Sequence, residues 1–302
     1  ARRADRVVEE RVVHPLSSYT RAVRALAGFE IVSLAVNVPG PAMLARLSGY
    51  GASVTKVEPP EGDPLFHHDP RWYARLTGSQ TILRLDLKSR DGRIALDERL
   101  SRADLLVTAS RPGALSRLGL DLDAIHARFP ALCRLQIVGF PPPDDDLPGH
   151  DLSFQAAAGL ILDPPRMPFT LLADLMGAER AATEAVALLL HKQRTGEAMR
   201  RRVSLAEAAA ALAAPLPRGL CAPGGLLGGG LPGYAIYPAK DGWVAVAALE
   251  PRFLERLRAA LKLPAVTAGR LRKVFKTRSG AHWEAWGRKH DVPVTKLRRK
   301  GR

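Results

Sequence analysis

The sequence predicts an α/β fold: a mostly parallel sheet wound with helices on both faces, followed by a smaller α+β domain. Three observations predict it. From Leu26 onward, short apolar runs alternate with amphipathic segments of helical period. Strands that alternate with helices of this length imply crossover connections, and hence a parallel sheet. Beyond residue 234 the pattern changes to a hairpin followed by helices. The 302 residues leave room for one large domain and a smaller one.

The elements follow in order. FEIVSLAV (29–36) is a buried-strand run. PGPAMLARLSGYG (39–51) is a helix opened by Pro39-Gly40-Pro41 and closed by Gly49 and Gly51. ASVTKVEPP (52–60) is a second strand, stopped by prolines. TILRLDL (81–87) alternates and is a third. RDGRIALDERLSRA (90–103) is an amphipathic helix and DLLVTAS (104–110) a fourth strand. LDAIHARFP (122–130) is a helix and LCRLQIVGF (132–140) a fifth strand. After the irregular PPPDDDLPGHD, a helix is expected over DLSFQAAAGLIL (151–162). A stronger one has its core from Ala178 to Gln193, with Gly196 past its end. SLAEAAAALAAPL (204–216) is an alanine-rich helix. AIYPAKDGWVAVAAL (235–249) is a hairpin turning at Lys240-Asp241-Gly242. PRFLERLRAALKL (251–263) and HWEAWGRKH (282–290) are helices. Residues 1–24 read as an extension, whose Val7, Val8, Val12, Val13 and Leu16 suit a short helix broken by Pro15.

Composition excludes several classes. With 46% hydrophobic and 25% charged residues the chain is globular rather than disordered. No apolar run reaches the length of a membrane span, and the basic start lacks the apolar core of a secretory signal. Cys133 and Cys221 are too few and too far apart for a disulfide scaffold or a zinc site, which suits a cytoplasmic setting. The net charge of +15 sits mainly at the ends: residues 270–302 carry +10 and residues 1–24 carry +3. A solvated basic tail accounts for this, and no nucleic-acid-binding motif accompanies it. The loop GGLLGGGLPG (224–233) lacks the Lys-Ser/Thr of a P-loop and the spacing of a dinucleotide fingerprint, so it reads as a connector.

Seven phrases carry a further signal by their order and spacing: VEPPEGDP (57–64), LDLKSRDGR (85–93), SRPGALSRLGLD (110–121), LPGHDLSF (147–154), LLADLMGA (171–178), HKQRTGEAMRRRVSLAEAA (191–209) and YPAKDGWVAVAALEPRF (237–253). In these the chain resembles the family III CoA-transferases (CaiB/BaiF), and within them the α-methylacyl-CoA racemase branch, from about residue 26 to residue 290. The resemblance implies a Rossmann-like large domain over residues 25–200 that binds CoA. A linker helix and small domain with a basic C-terminal tail would occupy 201–302. It also implies an interlocked homodimer with a site shared between subunits. No bound cofactor is implied, since CoA enters as the substrate's thioester.

The resemblance also assigns roles. His150 and Asp174 match the two-base pair that moves the α-proton of an acyl-CoA. Asp151, with the amides opening its helix, would face the thioester oxygen. Glu250 would orient His150 of the partner subunit. Pro59, the run Leu85, Asp86, Leu87 and Lys88, and Arg111 would hold the nucleotide end of CoA. Gly149 and Leu152 would also contact CoA, and Leu152, Leu175 and Met176 would line the acyl pocket. Each residue also has a purely architectural use: Asp174 as a helix cap, His150-Asp151 as a turn and cap, Glu250 as a helix start.

Two other activities remain open at this level. Asp174 matches the transferase nucleophile, although the histidine of GHD favours proton transfer. A catalytically silent CoA-binding paralogue is the third, since Ser79-Gln80-Thr81 replaces the family's basic pair and the chain stops some tens of residues before the family's usual end.

Overall fold

LLVT (105–108) and CRLQIV (133–138) are buried at every position, so the sheet they belong to needs cover on both faces. The computed structural model, which describes residues 23–298, provides that cover. Strands β1 (Glu30–Ser33), β2 (Ser53–Glu58), β3 (Thr81–Arg84), β4 (Leu105–Thr108), β5 (Cys133–Val138) and β6 (Arg200–Ser204) form one parallel sheet. Their order is β3-β2-β1-β4-β5-β6, so the direction in which successive strands are added reverses between β1 and β4.

Helices connect the strands. α1 (Pro39–Gly49) joins β1 to β2. α2 (Pro64–His68) and α3 (Pro70–Thr77) join β2 to β3, and α4 (Arg90–Leu100) joins β3 to β4. α5 (Pro112–Arg117) and α6 (Leu122–Arg128) precede β5. α7 (Asp151–Ala157) and α8 (Leu172–Thr195) lie between β5 and β6, and α9 (Leu205–Leu212) follows β6. Many starts carry the expected caps: the amides of Leu65, Trp72, Gly92 and Ala124 donate to Asp63, Asp69, Ser89 and Asp121. Gly196 ends α8 with a left-handed φ of 76°.

Along α8 the small residues Ala173, Gly177, Ala181 and Ala185 recur every fourth position and are all buried. A β-carbon on Gly177 would lie 2.2 Å from Leu205 Cδ2, so the Leu205 side chain packs into the space that glycine leaves between α8 and α9. One core, built on Ile31, Met43, Leu105, Leu135 and Leu189, lies on one face of the sheet. Val32, Leu96, Leu106, Leu115 and Ile125 form the other.

Strand β6 has no counterpart in the expected elements. Arg200, Arg201 and Arg202 concealed it, because three successive arginines give no alternation of apolar and polar residues. Their partners Asp123, Glu184 and Asp145 neutralise them, and charge on an edge strand blocks further pairing. The first unit therefore runs to Leu212, past the expected boundary at residue 200.

The second unit begins at Ala213. Antiparallel strands β7 (Tyr234–Ala239), β8 (Gly242–Ala247) and β9 (Val294–Lys296) form its sheet. Helices α10 (Pro251–Ala260), α11 (Ala268–Phe275) and α12 (Gly280–His290) complete it. Tyr237 stacks on Phe275, and Trp283 Nε1–H donates to the Phe275 carbonyl at 2.7 Å. The hairpin turns at Lys240-Asp241 as expected. The basic segment from residue 270 is not a free tail as far as residue 298: it supplies most of α11, then α12 and β9. The expected helix within residues 1–24 lies outside the described residues.

A buried ionic cluster closes the β3 side of the sheet. Period-two geometry puts Lys56 and Glu58 on one face of β2. Lys56 Nζ donates to Glu58 Oε1 and, at 2.7 Å, to Asp63 Oδ2. Tyr73 Oη donates to Glu58 Oε1 at 2.6 Å. Asp63 Oδ1 accepts the amides of Asn37 and Leu65. Removing Asp63 leaves Lys56 paired with Glu58 but takes an acceptor from the ammonium and from the amides of Asn37 and Leu65. Asp63→Ala is expected to lower stability by about 2–3 kcal/mol, measured by urea denaturation, whereas Asp69→Ala at an exposed cap should cost about 1 kcal/mol.

Candidate active site

In an open parallel sheet, loops at the carboxyl ends of the strands surround a crevice where the strand order reverses. Here that edge carries the segment after β1, with Asn37 at φ 66°, the turn from Pro59 to Asp63, the turn from Leu85 to Lys88, the Arg111-Pro112 start of α5, and the loop from Gly139 to His150.

Each expected CoA-binding residue falls on this edge. Pro59 directly follows β2, and its carbonyl accepts the Gly62 amide at 2.9 Å. Leu85 donates its amide to the Glu58 carbonyl. β3 stops at Arg84 rather than Leu87, because the Asp86 carboxylate turns back to accept the Lys88 amide at 2.9 Å. That turn leaves Lys88 exposed. Arg111 is exposed as well and reaches the Asp146 carbonyl, while the Gly113 amide donates to Asp146 Oδ1 at 2.9 Å. Asp146 thus pins the loop that carries His150 to the start of α5.

Gly149 has a packing reason for its identity. A β-carbon there would stand 2.5 Å from the Phe154 ring, which itself packs edge-on against Phe140. His150 caps α7, and its amide donates to Ser153 Oγ at 2.9 Å. Its imidazole is exposed. The amides of Asp151 and Leu152, at the first two positions of α7, have no intrahelical acceptor.

Asp151 is the joint of the site. Its carboxylate is buried, and Oδ1 accepts the Asp174 amide at 3.0 Å while Oδ2 accepts Gln155 Nε2. The start of α7 is thereby tied to the first turn of α8. The Asp151 side chain, expected at the thioester oxygen, is engaged in this joint. Asp174 itself lies half-buried. Burial first, and the neighbouring Asp151 charge second, push its carboxyl up to about 7. Among the described residues no donor hydrogen-bonds it. Leu152 of α7, Leu175 of α8 and Leu162 and Met167 of the loop between these helices are exposed apolar side chains.

Glu250 lies in the second unit, directly before α10. Its carbonyl accepts the amides of Phe253 and Leu254, and its side chain is exposed. Sequence reading missed Gln155, Asp146 and the Lys56 cluster. The first had a signal, since Gln155 stands four residues from Asp151 on one helix face.

A family model described as CoA-transferase family III matches residues 26–300. The chain belongs to CoA-transferase family III. Human "Alpha-methylacyl-CoA racemase" is 30% identical over 254 residues, covering 77% of this chain and 64% of that protein. The chain thus spans about two thirds of that enzyme's length. "Cinnamoyl-CoA:phenyllactate CoA-transferase" of Clostridium sporogenes is 34% identical over 146 residues, 44% of this chain and 35% of that one. In fold it is similar to a hypothetical protein (Rv3272) from Mycobacterium tuberculosis, with a TM-score of 0.81 and 20% identity over 91% of this chain and 86% of that one. Members of the family are thus both racemases and CoA-transferases. No described helix is long and apolar enough to cross a membrane.

The raised Asp174 carboxyl sets a pH dependence of stability. Folding favours its protonated form. The penalty for ionising it is therefore absent below pH 3.8, grows as pH rises, and is complete above about 7. Asp174→Asn is expected to be more stable than the native protein at pH 8, by on the order of 2–4 kcal/mol, and to lose that advantage at pH 4. Thermal unfolding at the two pH values measures it.

Proposed function

We propose that this chain is a racemase or epimerase of 2-methylacyl-CoA thioesters that moves the α-proton between His150 and Asp174. One observation carries the reading: the Asp174 amide donates to the Asp151 carboxylate, which ties the helix start beside His150 to the turn that carries the raised Asp174 carboxyl. A racemase must protonate either face of the same carbon with similar ease. That requires two nearly isoenergetic arrangements of one proton: neutral imidazole with carboxylic acid, and imidazolium with carboxylate.

In one direction neutral His150 takes the α-proton. The electron pair of the C–H bond moves into the enolate, whose charge rests on the thioester oxygen. The Asp174 acid then protonates the opposite face and restores the thioester. The pair is left as imidazolium and carboxylate, which is the form needed for the reverse direction. The free amides of Asp151 and Leu152 stabilise the oxyanion. Pro59, Leu85, Asp86, Leu87, Lys88 and Arg111 line the sheet edge that takes the nucleotide end of CoA. Gly149 flanks the thioester, and Leu152, Leu175 and Met176 take the acyl chain. The reaction calls for no resident cofactor.

The complete site is proposed to need a second copy of the chain, with Glu250 of one subunit orienting His150 of the other. The outer face of the second unit's sheet supports an association of this kind: Ile236 and Trp243 are more than half exposed there. A transferase reading has its own support, since the Asp174 carboxyl accepts no hydrogen bond among the described residues and is open to acylation.

In heavy water, a 2-methylacyl-CoA is expected to take up deuterium at the α-carbon with no acceptor acid present. Transfer of CoA to a free carboxylic acid without such exchange would instead establish the transferase. CoA binding with neither would establish a silent paralogue. His150→Ala and Asp174→Ala should each slow exchange about a hundredfold or more with the fold intact by circular dichroism. Arg111→Glu should weaken CoA binding by about 2 kcal/mol in calorimetry, leaving the stability of the protein unchanged.

A further inference from the structure

Gln155 is a buried polar side chain beside the site that the proposed chemistry leaves unused. It is 1% exposed, on α7, one turn beyond Asp151. Its Nε2 donates to Asp151 Oδ2 and, at 3.1 Å, to the Thr170 carbonyl. Two acceptors on one nitrogen fix the orientation of the amide, because only the NH2 group can serve both. Thr170 belongs to the segment that enters α8. One side chain therefore holds the carboxylate on one helix and the chain leading to the carboxyl on the other.

The two acids are treated unequally. Asp151 accepts two N–H donors, from Gln155 and from the Asp174 amide, and both favour its charged form. The Asp174 carboxyl accepts none among the described residues, lies half-buried, and faces the Asp151 charge. Two neighbouring carboxyl groups that share a proton divide it according to the donors each one has.

We infer that Gln155 is a positioning residue: by donating to Asp151 it keeps that carboxyl the ionised member of the pair and assigns the exchangeable proton to Asp174. This rests on Asp174 being the proton carrier of the proposed site. Other charges on the elements packed against α8 are engaged elsewhere or exposed. Arg46 of α1 is paired with Glu179. Arg201 and Arg202 of β6 are paired with Glu184 and Asp145. Arg134 of β5 donates to the Leu122 carbonyl. Glu207 of α9 is exposed. The Asp151 charge is the one that raises Asp174, and the imidazole of His150 precedes it at the start of α7.

Apolar replacement of the amide should let Asp151 compete for the proton. The test is carbon-13 NMR of the full chain labelled at aspartate carboxyl groups, titrated without substrate. The two signals are assigned through Asp151→Asn and Asp174→Asn. In the native protein the neutral-range step is expected on the Asp174 carbon. In Gln155→Met part of its amplitude is expected to pass to the Asp151 carbon, the two carbons then reporting one common midpoint. Gln155→Asn keeps an amide but cannot reach Asp151, and is expected to behave as Gln155→Met does. It decides the matter should Gln155→Met fail to fold.

A step that stays wholly on the Asp174 carbon in a folded variant would overturn the assignment. So would a native step carried by Asp151. Neither outcome depends on turnover, so an absence of α-proton exchange would count against the racemase reading and leave this one standing.

Discussion

The hydrogen bond from the Asp174 amide to the Asp151 carboxylate is the constraint on which the site is built. A buried carboxylate is tolerable only if its oxygens find donors, and Asp151 finds them by drawing together the starts of two helices. His150 immediately precedes one start, and Asp174 lies in the first turn of the other. Their neighbourhood thus follows from the need to satisfy a third residue. The same arrangement leaves Asp174 without a donor of its own, half out of water and beside a negative charge. Its affinity for a proton is a consequence of how Asp151 is satisfied.

Around this joint, the carboxyl edge of the sheet is held by a second set of buried polar contacts. Asp63 bonds to Lys56 and to the amides of Asn37 and Leu65, so the segment after β1 and the turn after β2 are fixed to one side chain. Asp146 does the same for the loop before His150 and the start of α5. Loops that would otherwise differ in position from moment to moment are thereby given defined places. The positive groups Lys88 and Arg111 remain exposed on that edge, where an anionic ligand can reach them. The sheet supplies the platform and the acidic side chains set the loops upon it.

Much of the fold was legible in the sequence because apolar periodicity reports burial directly. β1 to β5, the helices between them and the hairpin of β7 and β8 are places where local preference and tertiary need agree. β6 was hidden because an edge strand that carries three arginines satisfies its backbone without showing an apolar pattern. The short helices α2, α3 and α5 begin at prolines, which read equally as turns. The basic C-terminal segment looked like a solvated tail because charge dominates its composition. Yet Leu271, Phe275 and Trp283, spaced through it, are buried against Tyr237 and Val244.

By itself the sequence determined the family, the α/β class, and the residue types available for acid–base chemistry: a histidine and three carboxylates in ordered phrases. These depend on identity and spacing along the chain, which a sequence states outright. Only the tertiary structure decided what each carboxyl does. Asp151 and Asp174 are the same residue type in the first turns of two helices. One local group, Gln155 a turn further on, is within reach of Asp151, but that its side chain bonds the carboxylate is settled only in the fold. The Asp174 amide is brought to Asp151 from 23 residues away, and burial without a donor falls to Asp174. The proton affinity of an acid depends on the solvation and charge around it, and those are properties of the fold.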